Sequence, residues 1–103
     1  MIFINLFVGI LSVSLFVKKL ILPLINFAKM KKILIIGAAG QIGSELTLAL
    51  RSDFGNDNVI ATDLNYPLPD KLASSGPTAQ LDARDRDALR AICEKFGIDT
   101  IIN

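Results

Sequence analysis

The sequence of 103 residues contains no histidine and no tryptophan, one cysteine (Cys93) and one tyrosine (Tyr66). Without histidine, the side chain that most often moves protons near neutral pH and most often ligates metals is missing. A lone cysteine excludes an internal disulfide and a cysteine metal cluster. From Met30 onward the composition suits a reducing cytosol. Acidic residues are absent from the first 29 positions, whose only charges are Lys18, Lys19 and Lys29. All ten acidic residues lie in 30–103 beside eight basic ones, so the first part carries +3 and the second −2. No basic patch interleaves with aromatics, which argues against a nucleic-acid partner. No internal repeat is present, and the length leaves room for one small domain.

Met1 to Val17 is uncharged. As a helix it would span roughly 25 Å, the short limit for crossing a bilayer. Its charges follow the apolar run instead of preceding it, no small-x-small cleavage site is evident, and no arginine occurs, so it fits neither a signal nor a transit peptide. Two readings remain. One is a signal anchor with Lys18 and Lys19 on the cytoplasmic side. The other is an upstream extension of the reading frame, with Met30-Lys31-Lys32 as an ordinary start just before the first strand. The second is favoured. The expected partition is therefore an apolar N-terminal segment, 1–29, and a domain, 30–103. The domain is expected to be cytoplasmic, or anchored to a membrane and facing the cytoplasm if residues 1–29 are genuine.

From Met30 the pattern alternates strands and helices. Ile33 to Ile36 is a continuous apolar run, as in a parallel strand buried on both faces. A helix is expected from Gln41 to Arg51, with Ile42, Leu46, Ala49 and Leu50 as its buried stripe. A second strand covers Val59 to Thr62 and closes at Asp63. A loop with Pro67, Pro69, Gly76 and Pro77 follows, with little regular structure expected. A short third strand covers Thr78 to Leu81. The second helix is N-capped by Asp85, carries Leu89, Ile92, Cys93 and Phe96 on one face, and stops at Gly97. A fourth strand covers Thr100 to Ile102. The fold class is α/β: the first half of a Rossmann-type parallel sheet with right-handed crossovers and strand order 3-2-1-4, preceded by the apolar segment. The fourth strand is expected at an open edge, and the half-sheet to be marginally stable alone.

The chemistry lies where the first strand meets the first helix. Gly37, Gly40 and Gly43 are spaced G-x-x-G-x-x-G, and no Gly-Lys-Ser/Thr follows, which excludes a Walker A loop. Gly37 is expected to permit a tight turn, Gly40 the close approach of a pyrophosphate, and Gly43 close packing of helix on strand. The N–H groups of Gln41 and Ile42 would face the phosphates at the positive end of the helix. Asp63 stands 20 residues after Gly43, where a carboxylate accepts the adenosine ribose hydroxyls. It would repel a 2′-phosphate, so NAD is expected over NADP. Leu64 follows it in place of an arginine and completes that part of the cofactor site. Asp82 is read either as a contact to the adenine amino group or as a turn aspartate. Arg84, Arg86 and Arg90 are expected to be solvated, and Cys93 to be a core residue.

GAAGQIG, SELTLALR, FGNDNVIATDL, SGP and LDARD together resemble the extended short-chain dehydrogenase/reductase family, which includes the NAD-dependent epimerases and dehydratases. Within it, the GQIGSEL helix start and the NVIATDL strand are most similar to the NAD-dependent L-threonine 3-dehydrogenases. The resemblance covers 30–103 and leaves residues 1–29 without a counterpart. It implies that Gly37, Gly40, Gln41, Ile42 and Gly43 hold the pyrophosphate, with Asp63 on the ribose and Asp82 near the adenine. The family's catalytic Ser or Thr and Tyr-x-x-x-Lys have no match here, since Tyr66 opens Tyr-Pro-Leu-Pro-Asp. The chain is thus expected to be an N-terminal fragment without catalytic residues. A small-molecule substrate and a homodimer would belong to the complete protein. A nucleotide-sugar epimerase or dehydratase, and a non-catalytic NAD-binding module, are the rival readings.

Overall fold

A computed structural model describes residues 2–4 and 31–103. Most of the apolar N-terminal segment, including Lys18, Lys19 and the expected boundary at 29/30, lies outside the described residues. Among those described, no helix is long and apolar enough to cross a membrane.

Among the described residues five parallel strands form one sheet. They are β1 (Ile2–Ile4), β2 (Ile33–Ile36), β3 (Val59–Asp63), β4 (Thr78–Gln80) and β5 (Thr100–Ile102), in spatial order β1-β5-β2-β3-β4. The last four in that order are the expected 3-2-1-4 arrangement. The correction lies at the edge. β5 is not open: Ile2, Phe3 and Ile4 pair with Thr100, Ile101 and Ile102 in parallel. Sequence patterning hid this strand because three apolar residues inside a longer apolar run carry no period of their own.

Among the described residues the α-helices are α1 (Gln41–Phe54), α2 (Asp70–Ala73) and α3 (Arg86–Phe96). Strand β2 sits between β3 and β5, which is why it reads as an unbroken apolar run. On one face, Ile33 and Ile35 of β2, Val59 and Ala61 of β3 and Ile102 of β5 pack with Leu46 and Leu50 of α1. Leu68 and Leu72 join them, so the stretch after Asp63 is not all loop: it folds back as α2 and buries its leucines. On the other face, Leu34, Ile60, Leu81, Ile98 and Ile101 meet Ala88, Leu89, Ile92, Cys93 and Phe96, the apolar side of α3. None of these α3 residues is fully buried. Cys93 is accordingly half-buried, and burial pushes its thiol pKa up.

Helix α3 carries the expected caps. The Asp85 carboxylate accepts from Ala88 N–H at 3.1 Å, and Gly97 adopts the left-handed conformation, φ 64°, at the C-cap. Helix α1 runs three residues past the expected stop at Arg51, ending before Gly55 at φ 98°. Arg51 therefore lies inside it and is buried. Its guanidinium donates to Val59 O, Leu72 O, Ser75 Oγ and Pro77 O, tying α1 to β3, α2 and the start of β4. Gly76 leaves room for it, since a Cβ there would lie 2.6 Å from Arg51 Nε.

Candidate functional site

In an open parallel sheet, ligands bind outside the carboxyl ends of the strands, where the connections part to opposite faces. Here that point lies between β2, which leads into α1 on one face, and β5, which is reached from α3 on the other. The register pairs Ile36 with Thr62, so β2 and β3 finish level and Gly37 begins its turn beside Asp63.

The turn is built from successive backbone amides. Gly37 N–H and Ala38 N–H both donate to Thr62 O, at 3.0 and 2.9 Å. Ala39 N–H donates to Asp63 Oδ2 at 2.9 Å. Gly40 N–H closes onto Gly37 O at 3.2 Å, and the first bond of α1 runs from Ser44 N–H to Gly40 O at 2.9 Å. The first-turn amides of Gln41, Ile42 and Gly43 precede that bond and face outward from the helix start. Among the described residues no side chain caps α1, and no acidic residue stands in its first turn, in contrast to α3. The partial positive charge of this helix start is therefore left to an outside anion.

The three glycines have three different reasons. Gly37 sits at φ 88°, which disfavours any other residue. A Cβ on Gly43 would lie 2.2 Å from Gly37 O and 2.9 Å from Ala38 Cα, so this glycine lets α1 approach the loop. Gly40 has neither constraint. Its φ of −70° and ψ of 165° suit any residue, and a Cβ there would meet only Gly37 O at an ordinary 3.5 Å. Nothing among the described residues requires glycine at position 40. The bare backbone faces outward, where a group coming against the helix start would lie.

Asp63 is half-buried at the end of β3. Its Oδ1 accepts from Asn65 N–H at 2.8 Å, and its Oδ2 from Ala39. A carboxylate offers about four acceptor positions, so about two remain for further hydroxyl donors. Leu64 is 53% exposed and Tyr66 46%, the large exposed apolar side chains among the described residues. They give the rim beside Asp63 an apolar character. Leu64 O also accepts from Gln80 Nε2 at 3.2 Å, linking this rim to β4.

Asp82 follows the end of β4 on the same side of the sheet, since Leu81 N–H donates to Asp63 O at 3.1 Å. Its carboxylate accepts from Arg84 N–H, Nε and Nη2 at 3.0, 3.0 and 2.9 Å. The Arg84 hydrogen bonds hold the Asp82 carboxyl at a pKa of about 2 and push the Arg84 guanidinium up. About one acceptor position of Asp82 is left over. The structure thus gathers Gly37, Gly40, Gln41, Ile42, Gly43, Asp63 and Leu64 around one helix start and sets Asp82 at the neighbouring strand end, already engaged. Sequence reasoning missed Ala39 and Thr62, which act through backbone groups that carry no residue signature. Among the described residues no cluster of three or more acidic or cysteine side chains could hold a metal.

A sequence profile of the NAD dependent epimerase/dehydratase family matches residues 33–103. An uncharacterized epimerase/dehydratase of Staphylococcus haemolyticus is 47% identical over 74 residues, and proteins of that description from Staphylococcus aureus are 43% identical. The match covers 72% of this chain and 23% of the S. haemolyticus protein, about a quarter of its length. Among solved structures, L-threonine dehydrogenase from Clostridium difficile superposes with a TM-score of 0.66 and 46% identity, covering 70% of this chain and 23% of that one. The holo form of a GalE-like L-threonine dehydrogenase from Cupriavidus necator gives a TM-score of 0.63 and 40% identity, with 69% and 23% covered.

Proposed function

The chain belongs to the NAD-dependent epimerase/dehydratase family, and we propose that residues 30–103 are the NAD-holding part of an oxidoreductase whose substrate is L-threonine, oxidised to 2-amino-3-oxobutanoate. The observation that carries the cofactor reading is Gly40. Among the described residues nothing requires it to be glycine, and it stands before a helix start that none of their side chains caps, across from a carboxylate. A dinucleotide accounts for all three. Its pyrophosphate would lie against Gly40 and take the amides of Gln41, Ile42 and Gly43, and its adenosine ribose would reach the open positions of Asp63. Leu64 would offer the adenine an apolar edge, and Asp82 would take its amino group with the acceptor position that Arg84 leaves.

Bound there, NAD supplies a hydride acceptor. This chain's residues bind and orient it. The described residues include one tyrosine, Tyr66, whose hydroxyl lies 3.3 Å from Thr78 Oγ1. The proton transfers of the reaction are accordingly assigned to parts of a longer protein. NAD is proposed over NADP because the Asp63 carboxylate stands where a 2′-phosphate would come, with Leu64, Asn65 and Tyr66 beside it.

The threonine assignment draws on the solved structures quoted above. The description of the staphylococcal relatives favours a second reading, a nucleotide-sugar epimerase or dehydratase, which would use the same cofactor residues. Calorimetric titration of the chain with NAD and NADP tests the cofactor proposal. Saturable binding with NAD tighter is expected, and equal or tighter NADP binding overturns the preference. For the substrate, a protein carrying this domain should form NADH on addition of L-threonine; turnover of a UDP-sugar without that response would favour the second reading.

A further inference from the structure

We propose that Asp63 is a positioning residue for the glycine loop as well as the ribose acceptor: by holding Ala39 N–H, its Oδ2 sets the path of residues 38–40 before any dinucleotide arrives. This rests on the NAD-binding reading above and adds a second task for the same side chain.

The argument comes from counting acceptors. Three consecutive amides, Gly37, Ala38 and Ala39, turn toward the end of β3. The first two occupy Thr62 O. The next carbonyl, Asp63 O, is taken by Leu81 N–H, just past β4. The Asp63 side chain is the acceptor that the third amide finds, at 2.9 Å. The bond is charge-assisted and therefore stronger than a neutral pair. Ala39 immediately precedes Gly40, the residue over which the pyrophosphate would lie, and Gly40 N–H closes back on Gly37 O. The loop from 37 to 40 thus spends its own amides on shaping itself, and those of residues 41–43 remain for the ligand. Removing the Asp63 carboxylate frees the middle of the loop at the point where close approach matters most. A substitution at Asp63 designed to admit a 2′-phosphate would then also loosen the pyrophosphate cradle, which separates this idea from a ribose contact alone.

The test pairs a protein change with a ligand change, on the full chain. NAD and an NAD analogue with a 2′,3′-dideoxy adenosine ribose are titrated into wild type and Asp63→Ala. A ribose-only role predicts that the Asp63→Ala penalty vanishes for the dideoxy analogue. The positioning role predicts that roughly a tenfold penalty persists. Amide exchange on the ligand-free protein reads the same question without a ligand. Ala39 N–H should lose protection in Asp63→Ala while Gly37 and Ala38, held by a backbone carbonyl, keep theirs. If the variant does not fold, wild type still decides: a coupling across the hydrogen bond from Ala39 ¹⁵N to Asp63 ¹³Cγ is expected, and its absence overturns the inference. NAD failing to bind wild type would refute the cofactor reading. NAD binding with an Asp63 penalty confined to ligands that carry the hydroxyls would refute only the positioning role.

Discussion

Gly40 precedes α1 and Gly43 stands in its first turn, and the two should answer alanine in opposite ways. At Gly43 the added Cβ would lie 2.2 Å from Gly37 O. Carbon–oxygen contacts rarely close below about 3.3 Å, so α1 or the loop must move by roughly 1 Å. The atoms in the way are backbone, held in turn by Thr62 O, and they do not yield like a flexible side chain. The shift would lift Leu46 and Leu50 away from Ile33 and Ile35. Overpacking of this kind costs about 1–3 kcal/mol. In a domain of this size each kcal/mol lowers Tm by about 4–8 °C, so Gly43→Ala should melt about 10 °C lower. Gly40→Ala should leave Tm unchanged or raise it slightly, since its backbone is already in an allowed region and alanine restricts the unfolded chain. For the same reason Gly40→Val is a fair test of binding: an extended backbone accepts valine without strain. Its methyl groups would occupy the space assigned to the pyrophosphate, and NAD affinity should fall about tenfold or more, a loss of about 1.4 kcal/mol or more. Thermal melts and NAD titrations on the same samples give both readings. A folded Gly40→Val with wild-type affinity would refute the cradle assignment, and an unchanged Tm for Gly43→Ala would refute the packing argument.

Arg51→Met should lower the unfolding free energy in urea by about 2–3 kcal/mol, because it removes the guanidinium that donates to the carbonyls of Val59, Leu72 and Pro77, of which Pro77 O keeps a second donor in Ala61 N–H. A loss under 1 kcal/mol would mean that water replaces the guanidinium. Asp82 should titrate near pH 2 in an NMR experiment, and Arg84→Ala should return it to the usual carboxylate range near 4. At Asp99, burial opposes the charge, but hydrogen bonds from the Thr100 hydroxyl and the Lys32 and Lys31 amides outweigh it and hold the pKa below its ordinary value. A folded-state pKa below the unfolded one means that this stabilisation is complete above about pH 4 and fades as pH falls through the folded value. Asp99→Ala should therefore cost about 1–2 kcal/mol at pH 7 and progressively less in acid, as denaturation curves at several pH values would show.

Much of this was legible in the residues because each local signal had a local cause. The stop from Ile36 to Gly37, the cap pair Asp85 and Gly97, and the apolar side of α3 each follow from backbone geometry within a few positions. The four-strand order follows from alternation and handedness alone. What escaped was set by distant partners. Arg51 looks like a surface residue closing a helix, and only the return of α2 and the 75–77 stretch makes it a buried hub. The loop after Asp63 looks irregular from its prolines, yet Leu68 and Leu72 reach the core through one turn of helix. Asp82 and Arg84 are two residues apart, but their pairing depends on a turn that no period encodes. In the site, the glycines and Asp63 announce themselves by type and spacing. The bond from Ala39 to Asp63 does not, because its donor is an amide that any residue would provide.

The pairing of Ile2–Ile4 with β5 makes occupancy of that edge a competition. A strand has one outer row of donors and acceptors, so β5 can take a single neighbour on the side away from β2. In a doubly wound sheet of order 3-2-1-4-5-6, the place beside the fourth strand belongs to the fifth. Here a strand from the opposite end of the sequence sits in that place, parallel and in register. Any later strand that extends the sheet on this side must either evict Ile2–Ile4 or add beyond them. Eviction would amount to an intramolecular strand exchange, decided by which segment has the higher effective concentration at the edge.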